Sequence, residues 1–397
     1  MLIMKEFTRS LVDGVLKNLE RKIPVFEVIT GPRQVGKTTA ARQIMKKFPF
    51  ESIYSSADGI LPIGTEWIES QWHLAELKAE ETSEPVLLVL DEVQKATQWS
   101  ESIKALWDQR KHDIRLLIMG SSALMIQKGL TESLAGRFFL TRFTHWDYAE
   151  CSAAFGWTLN EWLYFGGYPG AEIFKSDVIQ WKQYITDSLI ETVLSKDVLQ
   201  LHPITKPALM RNLFGLATTF PSQIISYNKM LGQLQEAGNT TTLSHYLNIL
   251  SSAYLVSGLE LFSKGQIRKR GSSPKVILWN NALINGISLK DYEQTLADHR
   301  FWGRIVENAV GAHLLNTLAG TSATLTYWRK GRDEVDFVVS AGDRNIAIEV
   351  KSGKTGRVSG LAAFHKLYPS AKTLIVGGNG IPLEDFFRTH PLKILTV

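Results

Sequence analysis

The chain has 397 residues, enough for two or three domains that each bury a core. Hydrophobic residues make up 44% and charged residues 21%, values that exclude a disordered chain, and no apolar run approaches the length of about eighteen residues that spans a bilayer. The formal net charge of +5 mildly favours an anionic partner without identifying one.

A single cysteine, Cys151, excludes an intramolecular disulfide and a thiolate zinc cluster. In the opening residues, Met1 to Glu6, charges arrive before any long apolar stretch, so no secretory pattern is expected. Both features point to a reducing, cytoplasmic setting and to no membrane partner.

In chain order, residues 6–20 place Phe7, Leu11, Val12, Val15, Leu16 and Leu19 at helical spacing. Pro24 to Thr30 reads as a strand, and Gly31-Pro32-Arg33-Gln34-Val35-Gly36-Lys37-Thr38 follows it. Two glycines at this spacing let backbone N–H groups curl around phosphates. The lysine then reaches the β- and γ-phosphates and the hydroxyl meets magnesium. Thr39 to Lys47 looks helical, so a helix N-terminus points at the anion. A nucleoside triphosphate, taken as ATP, is therefore expected on residues Gly31 to Thr39.

Ile53-Tyr54 is a candidate second strand, and Ile63 to Lys78, with Trp67 and Trp72, a helix. Val86 to Leu90 is an unbroken apolar run, the mark of a strand buried on both faces, and it ends in Asp91-Glu92. Asp91 suits magnesium and Glu92 suits the attacking water, or else Glu92 caps the helix expected over 102–111. A third apolar strand, Leu116 to Met119, ends in Gly120-Ser121-Ser122. Leu134-Ala135-Gly136-Arg137 then offers an arginine, either a finger for a γ-phosphate or the partner of a surface carboxylate.

From 149 to 205 the pattern is helical, broken by Gly166-Gly167-Tyr168-Pro169-Gly170 and followed by a long amphipathic stretch over 173–200. Residues 208–265 read as two or three short helices and a strand pair. In the third helix Leu243, Tyr246, Leu247, Leu250 and Tyr254 form one apolar face, opposite Ser244, His245, Asn248 and Ser251. This is helix-turn-helix spacing, with Leu259 to Phe262 and Lys275 to Leu278 flanking a wing. Lys264, Arg268, Lys269, Arg270 and Lys275 suit phosphate contacts there, unless the motif is only a packing scaffold.

The last hundred or so residues carry Glu307 in a helix expected over Phe301 to Leu318. Glu334-Val-Asp336 and Ile346-Ala-Ile-Glu349-Val-Lys351 open or fill two further strands. Asp, a hairpin and Glu-x-Lys resemble the core of the restriction-endonuclease-like nucleases. That resemblance implies a divalent metal on Asp336 and Glu349, Lys351 at the attacking water and Glu307 as a further ligand. A buried ion-pair network is the other reading of the same residues.

Taken together, the chain resembles a prokaryotic family of AAA-type ATPases that join a P-loop domain to a C-terminal, nuclease-like domain of unknown function. The strings that carry the resemblance are Thr30 to Thr39, Leu90-Asp-Glu-Val-Gln-Lys95, Gly120-Ser-Ser122, Leu134 to Arg137, Gly166 to Pro169, Ser226 to Asn228, Glu334 to Phe337 and Glu349-Val-Lys351. The resemblance implies that Ser121 senses the γ-phosphate. The loop over 51–60 departs from it by lacking a clear acidic second strand.

The expected organisation is α/β: a P-loop parallel-sheet ATPase domain over 1–148, a helical lid over 149–205, a winged-helix-like domain over 206–278 and a nuclease-like α/β domain over 279–397. The expected function is magnesium-dependent ATP hydrolysis coupled to a C-terminal module acting near DNA or RNA. The alternative is an ATP switch whose module is an inert scaffold for a protein partner. A nucleotide kinase fits less well, because no second substrate site is recognisable.

Overall fold

A computed structural model describes residues 7–22, 25–59, 63–120, 130, 133–199, 204–234, 238–263, 272–353 and 359–396. The chain divides into two compact units, Met1–Phe143 and Thr144–Val397. The three segments expected beyond residue 148 all lie within the second.

The first unit runs α1 (Ser10–Leu19), β1 (Phe26–Thr30), α2 (Lys37–Lys47), β2 (Ser52–Ser56), α3 (Thr65–Thr82), β3 (Val86–Asp91), α4 (Trp99–Gln109), β4 (Ile114–Gly120) and β5 (Phe138–Arg142). The strands form one sheet in the order β2-β3-β4-β1-β5, parallel throughout. Every residue of β1, β3 and β4 is buried, which is why β3 reads as an unbroken apolar run and β1 and β4 as largely apolar ones, whereas the edge strands β2 and β5 are mostly half-buried. Helix α3 buries Ile68, Trp72, Ala75 and Ala79 along one stripe. Trp72 meets Trp107 of α4 edge-on at 6.4 Å, and Trp107 meets Phe26 at 5.1 Å.

Because the strands are parallel, their carboxyl ends share one edge of the sheet, where α/β folds place ligands. The loop after β1, Asp91 at the end of β3 and Gly120 at the end of β4 all fall there. Glu27 is a charged residue inside the core: its carboxylate accepts from Asn18 Nδ2 at 2.5 Å and Thr141 Oγ1 at 3.1 Å. Burial pushes its pKa up to about 7.

The second unit opens with α5 (Tyr148–Phe155) and α6 (Leu159–Phe165), each started by a capping box, from Asp147 with Glu150 and from Thr158 with Glu161. Gly166 then turns the chain with φ 72°. The long amphipathic stretch expected over 173–200 forms an α-helix over Val178–Gln183 (α7). It continues as π-helical turns over Tyr184–Ile190 and Val193–Leu199, with Trp181, Ile185, Leu189 and Val193 still buried. The wider turn shifts the register of the buried side without losing it.

Three helices follow, α8 (Pro207–Thr219), α9 (Tyr227–Leu234) and α10 (Thr240–Ser252), then the antiparallel pair β6 (Val256–Leu259) and β7 (Lys275–Leu278). Leu243, Tyr246, Leu247 and Leu250 are buried along α10, and His245 and Asn248 are exposed. Tyr254, expected on the same helical face, lies beyond the helix with φ 58° and is buried by the turn.

After α11 (Ala282–Asn285) and α12 (Tyr292–Ala297) comes α13 (His299–Leu318). A four-stranded sheet follows, built from β8 (Thr324–Lys330), β9 (Asp333–Ala341), β10 (Arg344–Lys351) and β11 (Lys372–Gly377) in the order β11-β10-β9-β8. Only β10 and β11 are parallel. Helix α14 (Ser359–Leu367) packs Leu361 and Phe364 against Trp328, Val335, Val338 and Ala347. Gly311 of α13 lies so close to the sheet that a Cβ there would come within 2.9 Å of the Phe337 ring. Helices α15 (Leu383–Arg388) and α16 (Pro391–Thr396) end the described chain.

Candidate functional site

The loop after β1 is shaped by backbone that side chains resist. Gln34 and Gly36 take φ 61° and 87°, alternating the chain so that successive N–H groups turn inward as an anion-binding nest. A Cβ on Gly31 would lie 1.9 Å from the carbonyl oxygen of Phe143, so only glycine fits the first position. Pro32, Val35 and Lys37 are buried, Arg33 half-buried and Gln34 and Thr39 exposed. The Lys37 ammonium donates to the carbonyls of Gly31 and Pro32 at 2.9 and 2.7 Å, so it lies across the mouth of the loop.

Thr38 follows this lysine in the first turn of α2, and its hydroxyl lies 3.2 Å from Asp91 Oδ2. Asp91 is only 6% exposed. Its Oδ1 accepts from the Glu92 N–H at 2.9 Å, and its Oδ2 also accepts from the Tyr54 hydroxyl at 2.8 Å. Burial and the Asp91 carboxylate push the Tyr54 hydroxyl well above its ordinary pKa, so it stays a donor. The Thr38 and Asp91 oxygens are adjacent and hard, the donor set that suits magnesium.

Glu92 is buried at the start of a short 3-10 turn, Val93–Lys95, with φ 52°. It makes no side-chain cap bond to that turn, and its Oε2 instead accepts from Gln94 Nε2 at 2.6 Å. The capping role is therefore not what holds its carboxylate.

Two expected members do not join this group among the described residues. Ser121 lies outside the described residues. Arg137 precedes β5, and its carbonyl accepts from the Phe26 N–H at 3.0 Å at the amino end of β1. The sheet thus separates Arg137 from the loop at the other end of that strand. Its guanidinium is bidentate to Asp108, with both bonds at 2.9 Å. In its own chain this is the carboxylate-paired arginine and not a finger.

In the second unit the C-terminal carboxylates gather around an unexpected residue. Lys275, assigned from sequence to a basic wing, is fully buried at the start of β7. Its ammonium lies 2.7 Å from Glu307 Oε1 on α13, 3.1 Å from Asp336 Oδ1 on β9 and 3.6 Å from Glu334 Oε1. Lys275 is thus not a phosphate contact of a wing, because it begins an apolar strand that the core encloses. The other basic residues of that loop, Lys264, Arg268, Lys269 and Arg270, lie outside the described residues.

Asp336 Oδ2 accepts from the Val350 N–H at 2.8 Å, and Glu349 Oε1 pairs with Lys351 Nζ at 2.7 Å. Burial and the Asp336 charge push Glu307 and Glu349 up to about 7. Asp336 itself is held below its ordinary range: burial opposes this, and the Lys275 charge with the Val350 N–H overcomes it. Among the described residues no three Asp, Glu, His or Cys side chains are grouped to hold a metal ion, so the expected ligand set of Glu307, Asp336, Glu349 and Lys351 does not form one here.

Tyr54 and Lys275 were not singled out for these roles from sequence. The signal for Lys275 was its position at the head of Val276-Ile277-Leu278, a charge inside an apolar strand. Tyr54 carried no comparable signal.

Residues 26–152 match a family model described as an AAA domain, residues 156–294 a domain of unknown function (DUF8612) and residues 302–395 another (DUF4143). Two uncharacterized proteins, from Mycobacterium tuberculosis and Mycobacterium bovis, are each 27% identical over 347 residues, covering 87% of this chain and 74% of theirs. Among solved structures, the Thermotoga maritima RuvB Holliday junction branch migration motor aligns at 15% identity and a TM-score of 0.32, over 66% of this chain and 90% of that one. The parallel sheet, the phosphate loop and the family match agree that residues 26–152 are an AAA-type P-loop ATPase domain.

Proposed function

We propose that the chain is a magnesium-dependent ATP hydrolase whose nucleotide state is read out by its second unit at a nucleic-acid partner. The observation that carries the first part is the 3.2 Å approach of Thr38 Oγ1 to Asp91 Oδ2 beside the Lys37 ammonium. Lys37 would exchange the Gly31 and Pro32 carbonyls for β- and γ-phosphate oxygens. Thr38 directly, and Asp91 through water, would hold magnesium, which when bound draws charge from the phosphates. Tyr54 keeps Asp91 oriented, and Glu92 orients the attacking water. Ser121 remains the candidate γ-phosphate sensor.

For the second part, support comes from α9 and α10 at helix-turn-helix spacing, the exposed His245 and Asn248, and the basic residues Lys264 to Arg270 in the sequence. The organisation proposed is that of the sequence reading, with a lid over 149–205, a winged-helix-like part over 206–278 and a nuclease-like fold over 279–397. The buried Lys275 favours the second reading of that last part, a module that binds and does not cut.

Binding of a labelled duplex or single strand, measured against salt with ATP or ADP present, tests the coupling. Affinity should fall steeply and log-linearly with salt and differ between the two nucleotides. Salt-independent binding, or none, would return the module to a protein-interaction role.

A further inference from the structure

Lys275 reaches the C-terminal carboxylates from β7, and the geometry around it is that of an ammonium in a cage. Its side chain is 0% exposed, and the oxygens of Glu307, Asp336 and Glu334 stand 2.7, 3.1 and 3.6 Å from Nζ. The Phe337 ring lies 4.9 Å away on another side. An ammonium has three N–H groups and no acceptor, so it is satisfied only by oxygens: it donates to Asp336 Oδ1 and is ion-paired with Glu307 and Glu334.

Three further oxygens of the cluster are engaged, whereas Glu349 Oε2 is buried without a hydrogen-bond partner. Glu307 Oε2 accepts from Arg304 at 3.1 Å, Asp336 Oδ2 from the Val350 N–H at 2.8 Å and Glu349 Oε1 from Lys351 at 2.7 Å. Magnesium needs oxygens at about 2.0–2.1 Å in an octahedron, a closer and more numerous set than this. A divalent ion entering the centre would meet a fixed positive charge, and expelling Lys275 would leave a buried ammonium without partners.

The helix that carries Glu307 also grips the far end of β7. Asn308 accepts from the Leu278 N–H at 3.0 Å and donates to the Leu278 carbonyl at 3.0 Å. The opposite edge of β7 is covered by the segment after α8, where the Ser222 N–H donates to Val276 O at 2.9 Å and the Val276 N–H to Gln223 O at 2.9 Å. Strand β7 is therefore held at one end by a charge cage, at the other by an amide pair, and along its edge by the helical region.

We propose that the Lys275 ammonium is the resident cation of the Glu307, Asp336 and Glu334 cluster, which is an ion-paired joint fastening the β6–β7 hairpin to the C-terminal sheet and not a divalent-metal nuclease centre. The positioning residue of this joint is Lys275, acting through Glu307 and Asp336. The proposal is independent of ATP hydrolysis.

Manganese binding by the full chain, read by electron paramagnetic resonance, tests it. The Asp91→Ala protein without nucleotide removes the carboxylate of the first unit from the reading. It should bind no Mn2+ up to about 1 mM, the weak end of oxygen-ligand sites. One bound Mn2+ that disappears on adding Asp336→Asn would overturn the proposal.

Thermal unfolding supplies an independent readout. Lys275→Met should lower the midpoint, because the carboxylates lose their countercharge. Adding Glu307→Gln to Lys275→Met should restore part of the loss, since one of those carboxylates is then neutral. If the single variant is too unstable to purify, recovery of soluble protein by the pair carries the same information. A Lys275→Met protein as stable as the native chain, or a pair no better than the single variant, would contradict the joint.

Discussion

The Tyr54 hydroxyl donates to Asp91 Oδ2 at 2.8 Å, the same oxygen that the Thr38 hydroxyl approaches at 3.2 Å. Strand β2 thus lines the side of the site where the sequence lacks a clear acidic second strand. Its tyrosine acts on the carboxylate at the end of β3 and not on the nucleotide.

Tyr54→Phe should therefore leave the fold intact and raise the magnesium concentration needed for half-maximal turnover. The expected shift is about tenfold, as for other groups that orient a metal-binding carboxylate. Titration of turnover against Mg2+ at saturating ATP checks this. An unchanged requirement would mean that Asp91 is oriented without Tyr54.

Lys37→Ala and Glu92→Gln should separate binding from chemistry. The first removes the ammonium at the mouth of the loop and should abolish ATP binding, read by calorimetry. The second removes only the group that orients water, and should leave affinity near the native value. Equal loss of affinity in both would count against the assignment of Glu92.

Arg137→Ala is expected to leave hydrolysis unchanged, because its guanidinium is paired with Asp108 at the end of the sheet away from the loop. Steady-state phosphate release at several protein concentrations measures it. A large fall in turnover would show that Arg137 serves a nucleotide held by another copy of the chain.

A buried histidine contributes to the acid side of stability. His313 of α13 packs edge-on to Phe386 at 5.5 Å and Phe387 at 5.4 Å, and burial lowers its pKa from 6.5 to about 4. The folded state prefers the neutral ring, so this contribution is complete above pH 6.5 and is lost as pH falls toward 4. Denaturant unfolding of native and His313→Leu proteins should show the native chain losing about 3 kcal/mol more across that window. Parallel loss in both proteins would remove His313 from the acid response.

Much of the first unit was legible because its constraints are local. Apolar runs marked β3 and β4, and the glycine spacing marked the loop after β1, since both follow from burial and backbone sterics at neighbouring positions. The same parallel sheet explains why Asp91 arrives beside Thr38 from a separate strand. Arg137 was ambiguous in sequence because its meaning depends on which end of β5 it occupies, a property of strand order. Lys275 was misplaced for a related reason: a lysine beside other basic residues reads as solvated until α13 and β9 bring Glu307 and Asp336 to it. The break of the 173–200 stretch into π-helical turns left no mark, because its buried positions stay compatible with helical spacing.

The most direct measurement of the central claim is phosphate release from MgATP by the native chain and by Glu92→Gln, compared at concentrations where both are saturated with nucleotide. The account requires magnesium-dependent release by the native protein and a loss of at least about a hundredfold in the variant, the scale of a group acting in the transition state. Saturable ATP binding with equal release from both proteins, or release that persists in excess chelator, would contradict it.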